Sequence, residues 1–300
     1  MENLSPLVSQ FKKYLSTSGR GLSTVNSYGT DIKRFIAYLL EQNVQFDKVE
    51  LLHLLSFIEK LRITERESPN SIRRKIISIR QFYKYLFESQ QLPSNPFVES
   101  IIPEREEILP PLLTEKQLTK ILEACAHQNS PLKKTRDLAI LHLLSLEGIK
   151  VSELISLRWV DFIGSEKGDF SLRIKGEKDR TILLNKKSGK SLKDYEKTLL
   201  ETEEEHLTPS KLKNIFFAFK GRELSLQLEQ ITRHGLKFLL YEIGAKVGIE
   251  KLNTELLRHY AIHYLLETFG DLTAVKNHLG LKRAGNILKH LAKQKKEKHL

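Results

Sequence analysis

Up to Leu92, apolar positions recur at intervals of three and four, the period of helices that bury one face. A short amphipathic segment covers Pro6 to Leu15. A longer one runs from a cap at Ser23 to about Leu40, with Val25, Tyr28, Ile32, Phe35, Ile36 and Leu39 on one side. A third helix is predicted over about Val49 to Arg62. The fourth is the clearest, because Pro69 opens it and Ile72, Ile76, Ile79, Tyr83 and Leu86 form its inner stripe. Its other side carries Arg73, Arg80 and Lys84, with Arg74 and Lys75 adjacent. Such a basic face suits DNA phosphates or the major groove, and is also what a solvated bundle helix shows.

Five of the nine prolines lie between Pro93 and Pro111, and each fixes φ and removes a backbone donor, so no helix runs through that stretch. The predicted organisation is therefore a helical domain over 1–92, a linker over 93–112 and a second domain over 113–300. In the second domain, Thr114 and Gln117 have the form of a capping box for a helix toward Cys125. Further helices are expected over Arg136 to Leu146, ending at Gly148, and over Val151 to Leu157. The period then changes to two: Phe170 to Ile174 and Arg180 to Leu184 alternate like strands around a turn at Lys175 to Asp179. Helices return at Gln230 to Val247, Glu255 to Glu267 and Leu272 to His278, the last closed by Gly280.

Composition narrows the function. With 49 Lys and Arg against 37 Asp and Glu, the formal charge of +12 calls for a polyanionic partner, most simply nucleic acid. From Lys276 to Leu300, eight basic residues face Glu297 alone, so the C-terminal end carries much of that surplus. The stretch Asp194 to Glu205 holds six acids and is not expected on a nucleic-acid face. No apolar run suffices for a membrane span, and the first residues lack the apolar core of an export signal. One cysteine, Cys125, excludes an internal disulfide and fits a reducing cytoplasm.

In order and spacing the chain resembles the tyrosine site-specific recombinases, the phage-integrase or Xer-like family, over nearly its whole length. The residues that carry the likeness are Gly21 to Tyr28, Ser71 to Phe87 leading to Leu92-Pro-Ser-Asn-Pro96, and Pro111 to Glu115. They continue through Arg136 to Ala139, Gly148 to Leu154, Leu157 to Asp161, the Lys175 hairpin, Leu256 to His259 and Asn277 to Gly280. The resemblance implies a mainly α fold. It comprises an N-terminal four-helix, SAM-like core-binding domain and a C-terminal catalytic-type domain, helical with a small antiparallel β-sheet. It also implies double-stranded DNA as partner, with no cofactor, metal, membrane or small-molecule substrate, and further DNA contacts from Lys175, Lys178, Arg180 and Arg258 beside Arg73, Arg80 and Lys84.

In that family a tyrosine oxygen attacks a phosphodiester while two arginines clamp the oxygens on which charge builds, a hairpin lysine protonates the leaving oxygen and His-type residues assist. Here Lys175 and Arg258 hold family residues. The first arginine position holds Lys150, which lacks the planar fork that grips two oxygens. Glu255 replaces a histidine with a charge of the wrong sign, Leu281 replaces a hydrogen-bonding ring, and His290 stands at the nucleophile. No tyrosine follows Tyr264, and Tyr260 and Tyr264 are expected to pack. The reading is a DNA-binding protein of recombinase descent without strand cleavage, working with an active recombinase or self-associating on DNA. The alternative is an active enzyme with His290 or a partner's residue as nucleophile. His259 and His263 have chelating spacing without a third ligand and read as structural, as does Cys125.

Overall fold

The computed structural model describes residues 5–97, 102, 112–164, 168–176, 178–202, 208–218, 229–285 and 287–288. The chain forms two compact units, Met1–Leu109 and Pro110–Leu300.

The first unit is helical: α1 (Ser5–Thr17), α2 (Leu22–Glu41), α3 (Leu51–Glu59) and α4 (Pro69–Glu88). Phe11, Phe35, Phe57, Phe82 and Tyr83 meet in its core, where edge-to-face and tilted rings suit the aromatic quadrupole. The predicted stripe of α4 is buried throughout. Ser68 caps α4 by accepting from Ser71 N at 3.3 Å, and Pro69 occupies the first turn, where its missing N–H costs nothing. Two expectations are corrected. The cap of α2 is Gly21, in extended backbone, so Ser23 lies inside the first turn. The third helix does not run evenly to Arg62. It widens into a π turn over Lys60–Thr64, which keeps Leu61 buried while Ile63 faces out.

The second unit is built around α6 (Pro131–Ser145), whose Ala139, Ile140, Leu141, Leu143 and Leu144 are all buried. A helix apolar on every side belongs in a core, and α5 (Glu115–Ala126), α8 (Lys186–Leu200) and α10 (Thr254–Phe269) pack around it. The capping box of α5 forms as expected: Thr114 N donates to Gln117 Oε1 at 2.9 Å, and Gln117 N donates to Thr114 Oγ1 at 3.2 Å. Helix α6 starts five residues before Arg136, because Ser130 caps it and Pro131 fits its first turn. A polar first turn hid that start from the periodicity.

The remaining elements are α7 (Val151–Ser156), α9 (Arg233–Val247), α11 (Leu272–His278) and a three-stranded antiparallel sheet, β1 (Phe162–Gly164), β2 (Phe170–Ile174) and β3 (Arg180–Leu183). The register pairs Leu172 with Ile182 and Ile174 with Arg180, which puts the turn where the sequence placed it. Strand β1 and helix α8 were not anticipated. The first is three residues long, and the second has Gly189 and polar residues diluting its stripe of Ser188, Leu192, Tyr195 and Leu199. Gly189 is needed there, because a Cβ would lie 2.2 Å from the Phe170 ring. A smaller core of Ile262, Leu265, Val275, Leu279 and Ile287 joins α10 to α11 and the turn after it.

Candidate nucleic-acid interface

On α4, Arg73 and Arg80 are half-buried and Lys84 is exposed, 3.6 Å from Glu88. The two cations between them point elsewhere. Lys75 is buried and paired with Glu67, and Arg74 is paired with Asp31, which also accepts from Ser78 Oγ at 3.0 Å. Burial raises the Asp31 carboxyl above its ordinary value against the opposing pull of Arg74, Ser78 and Lys75. Burial acts the same way on Glu67, but there Lys75 and Arg34 outweigh it and hold the carboxyl below the usual range. Arg74 and Lys75 are thus engaged in ion pairs within the bundle, Arg74 with its side chain still 42% exposed, and of the three expected cations Lys84 is the most exposed.

In the second unit, one buried carboxylate ties several elements together. Glu153, in α7, accepts from the Lys150 backbone N at 2.9 Å, closing the first turn of that helix. Its two oxygens also receive Arg180 Nη1 at 2.8 Å and Nη2 at 3.1 Å, a bidentate fork. Arg180 Nε donates to the His278 carbonyl at 2.7 Å. Strand β3, the start of α7 and the end of α11 are therefore tied through two side chains. Burial alone would raise the Glu153 carboxyl, yet the Arg180 bonds and the Lys150 N–H keep it below its ordinary value.

Two glycines make the tie possible. Gly280 has φ +61°, and a Cβ on it would sit 2.5 Å from Arg180 Nη1, so the guanidinium lies flat against bare backbone. Gly148 also has φ +61°, with a Cβ position 2.7 Å from the Leu279 side chain. The Gly148 carbonyl accepts from Arg258 Nη1. Arg258 Nη2 is buried and has no hydrogen-bond partner among the described residues. Burial pushes the Arg258 guanidinium below its ordinary value, and Arg180 adds to the shift while Glu153 opposes it. A buried charged donor without an acceptor is costly.

The other expected positions lie around this core. Lys150 is half-buried at the start of α7, while Lys175 and Lys178 are exposed on the hairpin, where Gly176 N donates to Asp179 Oδ1 at 3.0 Å and Lys178 Nζ stands 3.5 Å from Asn277 Oδ1. Glu255 is 82% exposed in the first turn of α10, where a carboxylate suits the helix dipole, 3.7 Å from His259 Nε2. Leu281 is half-buried against the α10–α11 core. His290 and the lysine-rich tail from Lys289 lie outside the described residues, as do Glu203 to Glu205 and most of 98–111.

Arg180 departs from its expected role. Its side chain is 7% exposed and its donors are spent on Glu153 and His278, so it holds the site together instead of facing phosphate. Tyr264 accepts from Asn185 Nδ2 at 2.5 Å, and both Tyr260 and Tyr264 pack on the core. Burial raises the Tyr260 hydroxyl above its ordinary value, which disfavours the phenolate. Among the described residues no group of His, Cys, Asp and Glu could hold a metal. No described helix is long and apolar enough to cross a membrane.

Sequence reasoning missed Glu147. It is buried just before Gly148, accepts from Asn185 N at 2.9 Å, and has His278 Nε2 at 3.1 Å, within ion-pair reach but off the hydrogen-bonding direction. A lone acid closing the apolar run of α6 was the available signal.

Comparison with known proteins agrees with this architecture. The Phage integrase family model matches residues 111–296, and the model of the phage integrase N-terminal SAM-like domain matches residues 8–90. Tyrosine recombinase XerD of Rickettsia conorii is 29% identical over 283 residues, spanning 91% of this chain and 89% of that protein. Tyrosine recombinase XerC of Staphylococcus aureus is 28% identical over 258 residues, spanning 86% and 81%. Among solved structures, a lambda integrase dimer bound to a COC' core site matches with TM-score 0.69 at 15% identity, covering 96% of this chain and 76% of that one. XerH recombinase bound to a palindromic difH substrate, a post-cleavage complex, matches with TM-score 0.68 at 20% identity, covering 97% and 83%. With a family model spanning most of its length and both domains in family order, the chain belongs to the phage integrase family.

Proposed function

We propose that this chain holds double-stranded DNA at a recombination site without cleaving it, serving as an accessory to an active recombinase or assembling with its own copies there. Its two halves, 1–92 and 113–300, are joined by the linker 93–112. Arg73, Arg80 and Lys84 position the first half on the phosphate backbone, and Lys150, Lys175, Lys178 and Arg258 bind phosphate in the second. The observation that carries the reading is the orphan Arg258 Nη2, a charged donor kept buried without a partner among the described residues. The relatives support DNA as partner, since lambda integrase and XerH are both bound to DNA.

Against cleavage stand the residues at the reacting positions. Phosphoryl transfer needs a nucleophile and cations that converge on the developing charge. Glu255 brings a negative charge, Leu281 brings no hydrogen bond, and the nucleophile position holds His290. Incubation with nicked suicide duplexes is expected to trap no covalent protein–DNA adduct, while filter binding shows affinity that falls steeply with salt. A trapped adduct overturns the reading. If one forms, His290→Phe separates the routes: loss of the adduct assigns a phosphoramidate on His290, and persistence assigns a nucleophile from elsewhere.

A further inference from the structure

Helix α8 presents to solvent a ridge of lysines that none of the positions above uses, flanked in its C-terminal half by Asp194, Glu196 and Glu201. Lys186, Lys190, Lys193 and Lys197 are spaced four, three and four residues apart, so at about 3.6 residues per turn they fall on one narrow arc. All four are exposed, while Ser188, Leu192, Tyr195 and Leu199 on the far side are buried. At a rise of about 1.5 Å per residue the ridge is roughly 16 Å long.

The two halves of the ridge differ. Toward the C-terminal end, Lys193 lies 2.6 Å from Glu196 and Lys197 lies 3.6 Å from Glu201. At the N-terminal end, Lys186, Lys187 and Lys190 form no ion pair among the described residues, and the first turn holds no acid. Like charges one turn apart repel, and cations crowded at a helix N-terminus oppose the helix dipole. A solvated helix gains nothing from that arrangement. An anionic partner laid along it removes both penalties together.

We infer that the Lys186–Lys190 end of α8 is a further DNA-backbone contact surface, separate from the family positions. The inference rests on the DNA-holding function proposed above. Lysine is a compact charge on a flexible stem, suited to phosphates that need no fork geometry and carry no base information. Duplex DNA supplies a phosphate per about 1.7 Å of axis, so a surface of this length meets more acceptors than it has lysines. A second copy of the chain is the poorer occupant, because each copy carries +12.

The test compares two charge-matched pairs in the full chain, Lys186→Gln with Lys190→Gln, and Lys246→Gln with Lys251→Gln elsewhere on the same unit, all four being exposed. Duplex binding is measured across a salt series. The slope of log K against log salt is expected to flatten by about 1.8 in the α8 pair, at about 0.9 per phosphate, and to stay unchanged in the control pair. Two results overturn the inference while leaving DNA holding intact: a steep slope retained by the α8 pair, which points the ridge at an acidic protein, or an equal loss in both pairs, which reports net charge alone. A flat slope in the unaltered chain removes the DNA-holding function itself, and the inference with it.

Discussion

Replacing Glu153 with Gln tests whether that carboxylate is the brace of the second unit. The change keeps volume and one acceptor but removes the charge that faces a 7% exposed guanidinium. Breaking a buried ion pair from one side costs about 3–5 kcal/mol, because the surviving charge is left uncompensated. For a unit of this size each kcal/mol moves the melting temperature by about 2–4 °C, so a fall of roughly 6–20 °C is expected. The acid limb carries a second signature. A carboxyl held below its ordinary value contributes stability that is present above the unfolded-state pKa and is lost as pH falls through the folded one. In Glu153→Gln, therefore, the loss of stability between neutral pH and the carboxylate range becomes shallower. Urea unfolding at several pH values measures both. The double variant Glu153→Gln with Arg180→Met completes the cycle: removing both charges is expected to cost less than either single change. A single-variant cost under about 1 kcal/mol, the scale of an exposed pair such as Lys197 with Glu201, refutes the brace, and so does a double variant whose cost is the sum of the two.

Gly280→Ala puts a methyl against Arg180 and into a left-handed backbone. It is expected to destabilise by about 1–3 kcal/mol, with part of the loss recovered when Arg180 is also changed to Ala, as thermal melts will show. Arg258→Gln is expected to weaken DNA binding and to flatten the salt slope by about 0.9, the contribution of one phosphate; an unaltered slope denies the contact. Burial, with Lys187 nearby, depresses His142 to about 4 from 6.5, so its neutral form is the one that folds. The sign follows: stability is expected to decline by up to roughly 3 kcal/mol as pH falls from 6.5 toward 4, and His142→Leu should remove that decline in acid titrations. Burial and the charge of Asp137 push the Cys125 thiol up to about 12, so alkylation by iodoacetamide at pH 8 should wait for unfolding.

Patterning in the sequence was enough for most helices, because Ile72 to Leu86 and Thr114 to Cys125 combine clear periods with caps made from side chains. It failed where the deciding information was tertiary. Helix α8 hides its inner face behind small residues such as Ser188 and Gly189, the second of which is small because the Phe170 ring lies against it. Strand β1 exists because Phe170 to Leu172 of β2 offer an edge on which Phe162 to Gly164 pair. At the site, residue types in family order could be read directly, but their division of labour could not. Arg180 and Lys178 are two residues apart in sequence, and only the fold turns one inward to Glu153 and leaves the other exposed.

That division of labour separates what maintains the second unit from what would react in it. Its described brace runs through Glu153, Arg180, Gly280 and the backbone at Lys150, Gly148 and His278. Lys175 and Glu255 project into solvent, and Leu281 is only half covered. Substitutions at exposed positions such as Lys175 and Glu255 carry little penalty on folding, whatever they do to the handling of a ligand. The two exposed positions can therefore be varied for function without first reinforcing the brace, whereas a change at Leu281 also disturbs the packing between α10 and α11.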